Sequence, residues 1–501
     1  MSLNILALDL GAESGRAILG RLHAGRLELK EIHRFANGPV RLSDGLHWDA
    51  LRLFSELKAG LRLAREEVGQ TGLASVGLDT WGVDFGLLDQ HGDLLGNPYH
   101  YRDSRTDGMV DQAFQLAGGS PAEAKQAIFE ATGIQFMQIN TLYQLLSMQV
   151  NGAPALQAAH TFLPMPDLFN YWLTGRQASE FSIATTTQCY DPRAGTWAFA
   201  LLEKLGIPTR IFPEIVPTGS VMGDLLPWIA EETGLTGVRV IAPASHDTGS
   251  AVAAVPADNQ TFAYLSSGTW SLLGAELPAP IINPAALALN VTNEGGAGGT
   301  IRFLKNITGL WLVQECRRTW AAQGEPLSYD DVTHLAAQAA PFRSLIDPDW
   351  PDFLKPGDMP ARIIAFCRLA HQPIPETRAQ IIRCALESLA LKYRQTIESL
   401  EHILGHRLEP LHIVGGGTKN RLLNQFAANA AGRRVITGPV EAAAIGNILV
   451  QAIALGELAS LAEARAVVRQ SFDVAAYEPQ EFARWDEAYA RFCALQFAQL
   501  K

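Results

Sequence analysis

The chain has 501 residues, more than one hydrophobic core accommodates, and this length predicts two domains. Hydrophobic residues make up 48% of the chain and charged residues 18%, which excludes a disordered protein. The formal net charge is -11 and no run of lysine or arginine occurs, so nucleic acid and acidic lipid are disfavoured as partners.

Cysteine usage and the beginning of the chain bear on where the protein works. The five cysteines are scattered and form no Cys-x-x-Cys pair, so the sequence predicts neither a disulfide framework nor a zinc site. The first residues carry no basic leader, and no segment approaches the ~18 apolar residues that a membrane span needs. We therefore expect a cytoplasmic protein whose partners are small molecules. Whether it is a monomer or a homodimer stays undetermined.

The first half of the chain predicts three strands, a helix and a further strand. Two of the strands meet at a tight turn, His23-Ala24-Gly25, and the helix shows apolar residues at three- and four-residue spacing that end near Gly69. In chain order the predicted segments are strands at 4–10, 16–22 and 27–35, a helix at 54–68, a strand at 73–79 and a hairpin at 83–95 that turns at His91-Gly92.

A similar order of elements can be traced in the second half. These segments are strands at 262–267 and 270–275, a helix at 382–404 that stops at Gly405, a strand at 411–414 and a helix at 419–431. The repeated order predicts two related α/β domains, at 1–243 and 244–501. The proline-rich stretch at 341–375 is expected to be an insertion or a surface excursion.

A glycine-containing turn, Asp9-Leu10-Gly11-Ala12-Glu13-Ser14-Gly15-Arg16, ends the first predicted strand. Glycines permit a tight reversal whose bare backbone N–H groups approach an anion closely. Asp9 is a candidate to hold Mg²⁺ through water, and Arg16 is a candidate to neutralise phosphate charge. An ordinary hairpin entry is the alternative interpretation. Neither Gly-x-x-x-x-Gly-Lys-Ser/Thr nor Gly-x-Gly-x-x-Gly occurs, which disfavours a P-loop or a dinucleotide site.

Two further glycine turns follow strands in the second half. Leu265-Ser266-Ser267-Gly268-Thr269-Trp270-Ser271 makes the Gly268 amide and Thr269 candidate contacts to terminal phosphates. In Val414-Gly415-Gly416-Gly417-Thr418-Lys419-Asn420, the three glycines would let an adenosine lie against the backbone, and the following helix N-terminus favours an anion. Each turn alone is a weak signal, but three such turns at strand ends favour a nucleotide site.

An acidic residue starts a helix of small residues in Ala244-Ser245-His246-Asp247-Thr248-Gly249-Ser250. A carboxylate near phosphates is electrostatically costly, which favours a catalytic base at Asp247. Simple helix capping is the alternative, because Asp is a favoured N-cap residue, and the two roles are compatible.

The string Asp79-Thr80-Trp81-Gly82-Val83-Asp84-Phe85 stands at another strand end. An exposed Trp81 there would suit stacking on the face of a sugar. A core tryptophan beside a turn glycine is the alternative interpretation.

Several stretches resemble the FGGY family of carbohydrate kinases, and the resemblance covers nearly the whole chain. They are LDLGAESGR at 8–16, GLDTWGVDFGLLD at 77–89, YRDSRT at 101–106, ASHDTGSAVAAVP at 244–256, YLSSGTWSLLG at 264–274, LKNITGLWLVQ at 304–314 and HIVGGGTKNRLLNQ at 412–425. The resemblance implies two ribonuclease-H-like α/β domains of the actin/hexokinase-like ATPase superfold that face a central cleft. The N-terminal domain would hold the phosphate turn and most of the sugar site, and the C-terminal domain would hold the base and the ATP site.

The resemblance also implies roles for individual residues. Asp247 matches the family's proton acceptor, whereas Glu13 stands where a small hydroxyl residue is common. The implied sugar contacts are Gly82, His246, Thr248 and Asn306, and the implied ATP contacts are Ala12, Glu13, Ser14, Gly15, Arg16, Thr269, Gln314 and Gly416.

The implied activity is phosphoryl transfer from MgATP to a primary hydroxyl of L-rhamnulose, giving the 1-phosphate in L-rhamnose catabolism. Residues 79–85 and Asn306 favour L-rhamnulose, with L-fuculose and L-ribulose as alternative substrates. The alternative from another class is an actin- or chaperone-like ATPase that switches a partner protein, and it predicts sugar-independent ATP hydrolysis.

Overall fold

A computed structural model describes residues 2–498, which divide into two compact units. Among the described residues, the first unit comprises the chain up to Asp258, Glu276–Phe303 and Glu441–Phe472. The second unit comprises Asn259–Ala275, Leu304–Val440 and the chain from Asp473 onwards.

The regular elements are strands β1 to β21, helices α1 to α19 and short 3₁₀ turns. The strands are β1 Leu3–Leu10, β2 Ser14–His23, β3 Arg26–Ala36, β4 Val40–Leu42, β5 Gly45–His47, β6 Ser75–Thr80, β7 Phe85–Leu88, β8 Thr161–Pro164, β9 Ser179–Glu180, β10 Tyr190–Asp191, β11 Thr196–Trp197, β12 Ile215–Val216, β13 Ser220–Asp224, β14 Arg239–Ala242, β15 Ala263–Ser267, β16 Trp270–Leu277, β17 Thr292–Gly295, β18 Ile301–Thr308, β19 Leu411–Val414, β20 Val435–Thr437 and β21 Ala475–Tyr477. The helices are α1 Ala50–Val68, α2 Met109–Ala117, α3 Pro121–Thr132, α4 Thr141–Val150, α5 Pro154–Ala158, α6 Met165–Thr174, α7 Phe181–Thr185, α8 Phe199–Lys204, α9 Pro227–Thr233, α10 Asp247–Ala253, α11 Pro284–Leu289, α12 Trp311–Ala322, α13 Tyr329–Gln338, α14 Met359–Leu369, α15 Arg378–Leu404, α16 Arg421–Ala431, α17 Ala442–Ala454, α18 Leu461–Ser471 and α19 Phe482–Ala498. The 3₁₀ turns are Gly69–Thr71, Ser104–Thr106, Thr209–Ile211, Ala297–Gly299, Pro351–Leu354 and Gly416–Lys419.

The main sheet of the first unit has the strand order β13-β14-β6-β1-β2-β3. β1 pairs antiparallel with β2, and β2 pairs antiparallel with β3, across a turn whose Ala24 and Gly25 have positive φ angles of 48° and 74°. β6 runs parallel to β1, and β14 runs parallel to β6. The predicted order of three strands, a helix and a strand is confirmed, because β1, β2, β3, α1 and β6 occur in this order along the chain, with the short strands β4 and β5 between β3 and α1.

The sheet strands of the second unit follow the order β18-β16-β15-β19-β20-β21. β15 pairs antiparallel with β16 and parallel with β19, which in turn runs parallel to β20. The order β3-β2-β1-β6-β14 of the first unit is therefore repeated as β18-β16-β15-β19-β20. This repetition confirms two ribonuclease-H-like α/β units, the architecture of the actin/hexokinase-like ATPases.

The compact units divide the chain differently from the predicted cut between residues 243 and 244. Helix α10 belongs to the first unit, where it packs against α17. Small residues allow this close approach, since a Cβ atom on Gly446 of α17 would overlap the Ser250 carbonyl oxygen of α10. The first unit also takes in Glu276–Phe303 and Glu441–Phe472, which sequence order assigns to the second half.

The predicted hairpin that turns at His91-Gly92 is confirmed, because Leu88 bridges antiparallel to Leu94 and the Leu95 N–H donates to the Leu87 carbonyl oxygen at 2.9 Å. β7 also pairs antiparallel with β8, which the sequence did not predict.

A second local prediction is wrong. The stretch at 341–375 is no surface excursion, because Phe353 and Phe366 are buried and α14 packs against α12 and α15. Among residues 2–498, no helix is both long enough and apolar enough to cross a membrane.

Candidate active site

Three carboxylates lie at the carboxyl ends of parallel strands in the first unit. Asp9 of β1 and Asp79 of β6 are direct partners in the parallel register. A parallel bridge between Thr80 and His246 sets the start of α10 beside the end of β6. The edge where parallel strands end is the usual ligand-binding edge of an open α/β sheet. The fold therefore brings Asp9, Asp79 and Asp247 to one such edge.

Asp247 is the first residue of α10, with His246 as the N-cap residue. Its Oδ1 accepts hydrogen bonds from the Thr248 backbone N–H at 2.6 Å and the Thr248 hydroxyl at 3.2 Å. His246 Nε2 lies 3.4 Å from the same oxygen. Among the residues that the structure describes, Oδ2 has no such partner, so this oxygen is available for a proton.

The surroundings of Asp247 adjust its basicity. Burial raises the pKa of the Asp247 carboxyl above its ordinary value, the nearby His246 lowers it, and the charge of Asp9 raises it again. The Thr248 hydrogen bonds also lower the pKa. A carboxylate with a raised pKa is a better proton acceptor, which fits a general base.

Asp79 is fully buried, and one of its two oxygens is satisfied. Oδ2 accepts a hydrogen bond from Asn447 Nδ2 at 2.6 Å, whereas Oδ1 has no hydrogen-bond partner within residues 2–498. Burial and the charge of Asp9 raise the pKa of Asp79 well above its ordinary value. An orphaned buried carboxylate oxygen beside a second carboxylate fits a site where a cation approaches.

The donor set tests whether Mg²⁺ would fit near Asp9. In the described part of the chain, no group of three or more His, Cys, Asp or Glu side chains could hold a metal directly. Mg²⁺ keeps several waters and is often bound through one or two carboxylates plus substrate phosphates. Asp9, with Asp79 as its strand neighbour, therefore suits a water-mediated Mg²⁺ site.

The turn between β1 and β2 has a defined backbone. Gly11 N–H donates to the Ser14 carbonyl oxygen at 2.9 Å, and Asn37 Nδ2 donates to the Gly11 carbonyl oxygen at 2.8 Å. Ala12 is half-buried and the Glu13 side chain is exposed. The exposed position of Glu13 lets the turn carry an acidic residue without burying its charge.

Gly15 and Arg16 have structural partners in the same turn. A Cβ atom on Gly15 would overlap the Phe35 ring, so packing already requires glycine there. The Arg16 guanidinium pairs with Asp9 and with Glu441. A phosphate role for Arg16 would thus have to be shared with these two carboxylates.

The string at residues 79–85 is held by buried polar contacts. Trp81 is only 5% exposed, so the prediction of an exposed tryptophan is wrong. Its indole Nε1 donates to Asp84 Oδ2 at 3.0 Å, and its ring packs on Trp48 at 4.0 Å between centroids. Trp48 Nε1 donates to the same oxygen at 2.6 Å. Asp84 therefore anchors both indoles beside Gly82.

The predicted nucleotide contacts of the second unit cluster around two turns. Ser266 and Val414 are partners in the parallel strands β15 and β19, so the turns that follow them lie side by side. Gly415 has a φ of 86°, and a Cβ atom on Gly417 would overlap the Ser267 hydroxyl, so both glycines serve this packing. A Cβ atom on Gly416 would meet nothing within 4 Å, so its face is open to a ligand.

Helix α12 begins against the first of these turns. Leu310 and Trp311 donate their backbone N–H groups to the carbonyl oxygens of Gly268 and Thr269, at 3.0 and 3.1 Å. Gln314 lies on this helix, and its Oε1 is buried without a hydrogen-bond partner in the described chain. Asn306 lies on β18 of the same unit. The second unit thus brings Gly268, Thr269 and Gln314 together through α12.

Comparison with known families decides what kind of protein carries these residues. A sequence model of the N-terminal domain of the FGGY family of carbohydrate kinases matches residues 4–254, and the model of its C-terminal domain matches residues 263–455. The chain belongs to the FGGY family of carbohydrate kinases. This FGGY kinase uses ATP and a sugar as its substrates.

Curated relatives match this FGGY kinase over nearly its whole length. A protein of Bacteroides thetaiotaomicron named rhamnulokinase is 45% identical over 492 residues, which cover 98% of this chain and 99% of that protein. The rhamnulokinase of Oceanobacillus iheyensis is 40% identical over 94% of this chain and 97% of its own length. A solved gluconate kinase from Lactobacillus acidophilus has a TM-score of 0.80 at 17% identity, covers 99% of this chain and 98% of its own, and supports the fold.

Several residues that lie beside the candidate site residues were not predicted from the sequence. Asp79 carried a usable signal, because the parallel neighbours β1 and β6 both have Leu-Asp just before their last residue, ahead of a glycine-containing turn. Glu441, the partner of Arg16, carried none, since it lies far away along the chain. Glu294 and Arg302 approach His246 only through folding.

The buried Asp84 of this FGGY kinase makes its stability depend on pH. Burial raises the pKa of the Asp84 carboxyl from 3.8 to about 6, against the hydrogen bonds from Gln144, Trp48 and Trp81. Because the pKa of Asp84 is higher in the folded state than in the unfolded state, its protonated form stabilises the fold at low pH. This contribution is lost as the pH rises through the folded-state pKa. We expect the stability of the wild type relative to Asp84→Asn to fall by about 1 kcal/mol between about pH 5 and about pH 8. Unfolding of both proteins in urea at the two pH values measures this change, and a constant difference would contradict it.

Proposed function

We propose that this chain transfers the γ-phosphoryl group of ATP to the primary hydroxyl of L-rhamnulose, giving L-rhamnulose 1-phosphate and ADP. The observation that carries the choice of sugar is the similarity to proteins named rhamnulokinase, at 40–45% identity over at least 94% of this chain. This similarity extends over both of the domains that the family models match.

Asp247 is the proposed general base. Its Oδ1 is occupied by Thr248, so Oδ2 takes the proton of the sugar's primary hydroxyl. As the proton leaves, the hydroxyl oxygen forms its bond to the γ-phosphorus. The bond from that phosphorus to the β,γ-bridging oxygen breaks, and ADP leaves with the electron pair. The geometry of Asp247 and its raised pKa both support this role.

Charge on the transferring group requires positive partners. When bound with ATP, Mg²⁺ supplies charge neutralisation at the β- and γ-phosphates, and Asp9 is the residue proposed to hold it through water. Arg16 carries the nearest cationic side chain to Asp9 and is proposed to share its charge with phosphate. The backbone of residues 12–15 and the turns at Gly268–Thr269 and Gly415–Gly417 are proposed to bind the nucleotide, with Gln314.

The proposed sugar contacts are Gly82, His246, Thr248 and Asn306, with Trp81. Gly82, His246 and Thr248 belong to the first unit, and Asn306 belongs to the second. Trp81 stays a proposed contact through its edge only, because its ring is buried against Trp48. The cytoplasmic location stays a prediction.

ADP release across a panel of ketoses tests the proposal. We expect the highest kcat/KM with L-rhamnulose, lower values with L-fuculose and L-ribulose, and a low rate without sugar, because water lacks the binding energy that positions a hydroxyl. A preference for another ketose would replace the substrate while keeping the kinase. Hydrolysis that is equally fast without sugar would favour an ATPase that acts on a partner protein.

A further inference from the structure

We infer that Arg302 is a positioning residue for the proposed base, because it fixes the His246 ring so that its Nε2–H faces Asp247. This inference rests on the proposed role of Asp247. Arg302 would act on Asp247 indirectly, through its contact with His246. All of the residues involved belong to the first unit.

Arg302 is held rigidly before it reaches His246. Its side chain is fully buried on β18, and its Nε donates to the Gly295 carbonyl oxygen of β17 at 2.8 Å. Glu294 Oε2 lies 3.3 Å from Arg302 Nη2 and balances its charge. A buried guanidinium in this setting has one orientation, because its planar fork is bound at two edges.

The contact between Arg302 and His246 selects one tautomer of the imidazole. Arg302 Nη2 lies 3.0 Å from His246 Nδ1. A guanidinium only donates hydrogen bonds, so Nδ1 must accept and cannot carry a proton. The ring proton is therefore at Nε2. Glu294 Oε2 lies 3.3 Å from Nδ1 and would favour the opposite tautomer if Arg302 were absent.

The selected tautomer matters because of what Nε2 faces. His246 Nε2 lies 3.4 Å from Asp247 Oδ1, the oxygen that also accepts from Thr248. An N–H at this position attracts Oδ1, whereas a bare nitrogen lone pair would repel it. With Oδ1 held on one side, Oδ2 stays in place for the proton of the acceptor hydroxyl.

The backbone around His246 leaves the ring as the adjustable part. His246 N–H donates to the Ser182 hydroxyl at 3.2 Å, and Ser245 N–H donates to Glu180 Oε2 at 3.1 Å. These bonds fix the main chain independently of Arg302. Removing Arg302 is therefore expected to change the ring and its proton more than the position of α10.

The first test reads the tautomer in the unaltered protein. Two-bond ¹H–¹⁵N correlation spectra of histidine-labelled wild-type protein identify the His246 signals by their loss in His246→Gln. We expect the Nε2–H tautomer in the wild type and an increased share of Nδ1–H in Arg302→Met. Finding the Nδ1–H tautomer in the wild type would overturn the inference, and this measurement needs no activity.

The second test is a double-mutant cycle on turnover. Arg302→Met should lower kcat by about 10- to 100-fold, as loss of a residue that orients an active-site histidine commonly does, with an unchanged KM for ATP. Gln at position 246 has no ring tautomer for Arg302 to select. In the His246→Gln background, Arg302→Met should therefore lower kcat by less than about threefold. Equal losses in both backgrounds would show that Arg302 does not act through His246.

A matched control separates positioning from general loss of a buried arginine. Arg465 of the first unit is an arginine with only 11% of its side chain exposed, paired with Glu276 at 2.7 Å and donating to the Val252 carbonyl oxygen of α10. Arg465→Met should lower stability and leave the His246 tautomer unchanged. If Asp247→Asn keeps full turnover, the proposed role of Asp247 as the base fails, but the tautomer result still stands or falls by itself.

Discussion

Replacing Asp247 by Asn is expected to lower kcat by about 10²- to 10⁴-fold, the usual contribution of a positioned general base. Asn keeps the size of the side chain and an oxygen that can accept from the Thr248 N–H, now 2.6 Å from Oδ1. It removes the carboxylate oxygen that takes the proton. The loss should therefore appear in kcat rather than in folding.

The KM for ATP should change little in Asp247→Asn, since the proposed nucleotide contacts are other residues. Steady-state ADP release at saturating sugar measures both constants. Asp167→Asn is the matched control, because Asp167 is a fully buried carboxyl of the same unit that binds the Ser179 hydroxyl at 2.9 Å. Control and variant share the chemical change, so a loss confined to Asp247→Asn identifies the base. Undiminished turnover in that variant would remove Asp247 from the mechanism.

The elements that could be predicted from the sequence are those fixed by local chemistry. Strand β1, the turn at residues 23–25 and helix α1 follow from hydrophobic period and turn residues, and each matched within a few residues. The end of α15 at Gly405 follows from the left-handed φ of 74° that glycine supplies there. Such signals lie within a few residues of the feature that they predict.

Pairing between distant segments could not be predicted in the same way. β7 pairs with β8, which lies far away along the chain, in addition to the bridge that Leu88 makes to the nearby Leu94. Trp81 is buried because it packs on Trp48 and donates a hydrogen bond to Asp84, and no residue near Trp81 in the sequence predicts the contact with Trp48. The membership of residues 441–472 in the first unit has the same cause, since it depends on how α17 packs.

The candidate site also contains residues that could be predicted from local sequence and residues that could not. Motifs drew attention to Asp9, Arg16 and Asp247 because each stands beside glycines at a strand end or helix start. The groups that adjust them, Arg302 among these, act from neighbouring strands and have no motif of their own. A sequence therefore indicates the groups that touch substrate more readily than the groups that orient them.

Gly446→Ala is expected to destabilise the first unit by about 3 kcal/mol or more, the upper range for overpacking a tight interior. A methyl group at this position would overlap the Ser250 carbonyl oxygen, which is backbone and cannot rotate away. On helix propensity alone, the same change would stabilise α17 by about 1 kcal/mol. Steric overlap and helix propensity thus predict changes of opposite sign in the free energy of unfolding, and the overlap is the larger effect.

Helix α17 has little freedom to relieve that overlap, because buried amides pin it to the sheet. Asn447 Nδ2 donates to Asp79 Oδ2 at 2.6 Å, and Gln451 Nε2 donates to the Leu6 carbonyl oxygen at 3.0 Å. Moving α17 outward would break these bonds, so the overlap must be relieved by a shift of α10, whose first residue is Asp247.

The free energy of unfolding, measured in urea, and kcat should therefore both be lower in Gly446→Ala than in the wild type. The control is Gly38→Ala, where a Cβ atom meets nothing within 4 Å and neither quantity should change. A Gly446→Ala protein as stable as the wild type would mean that α10 and α17 can separate without cost, contrary to their packing.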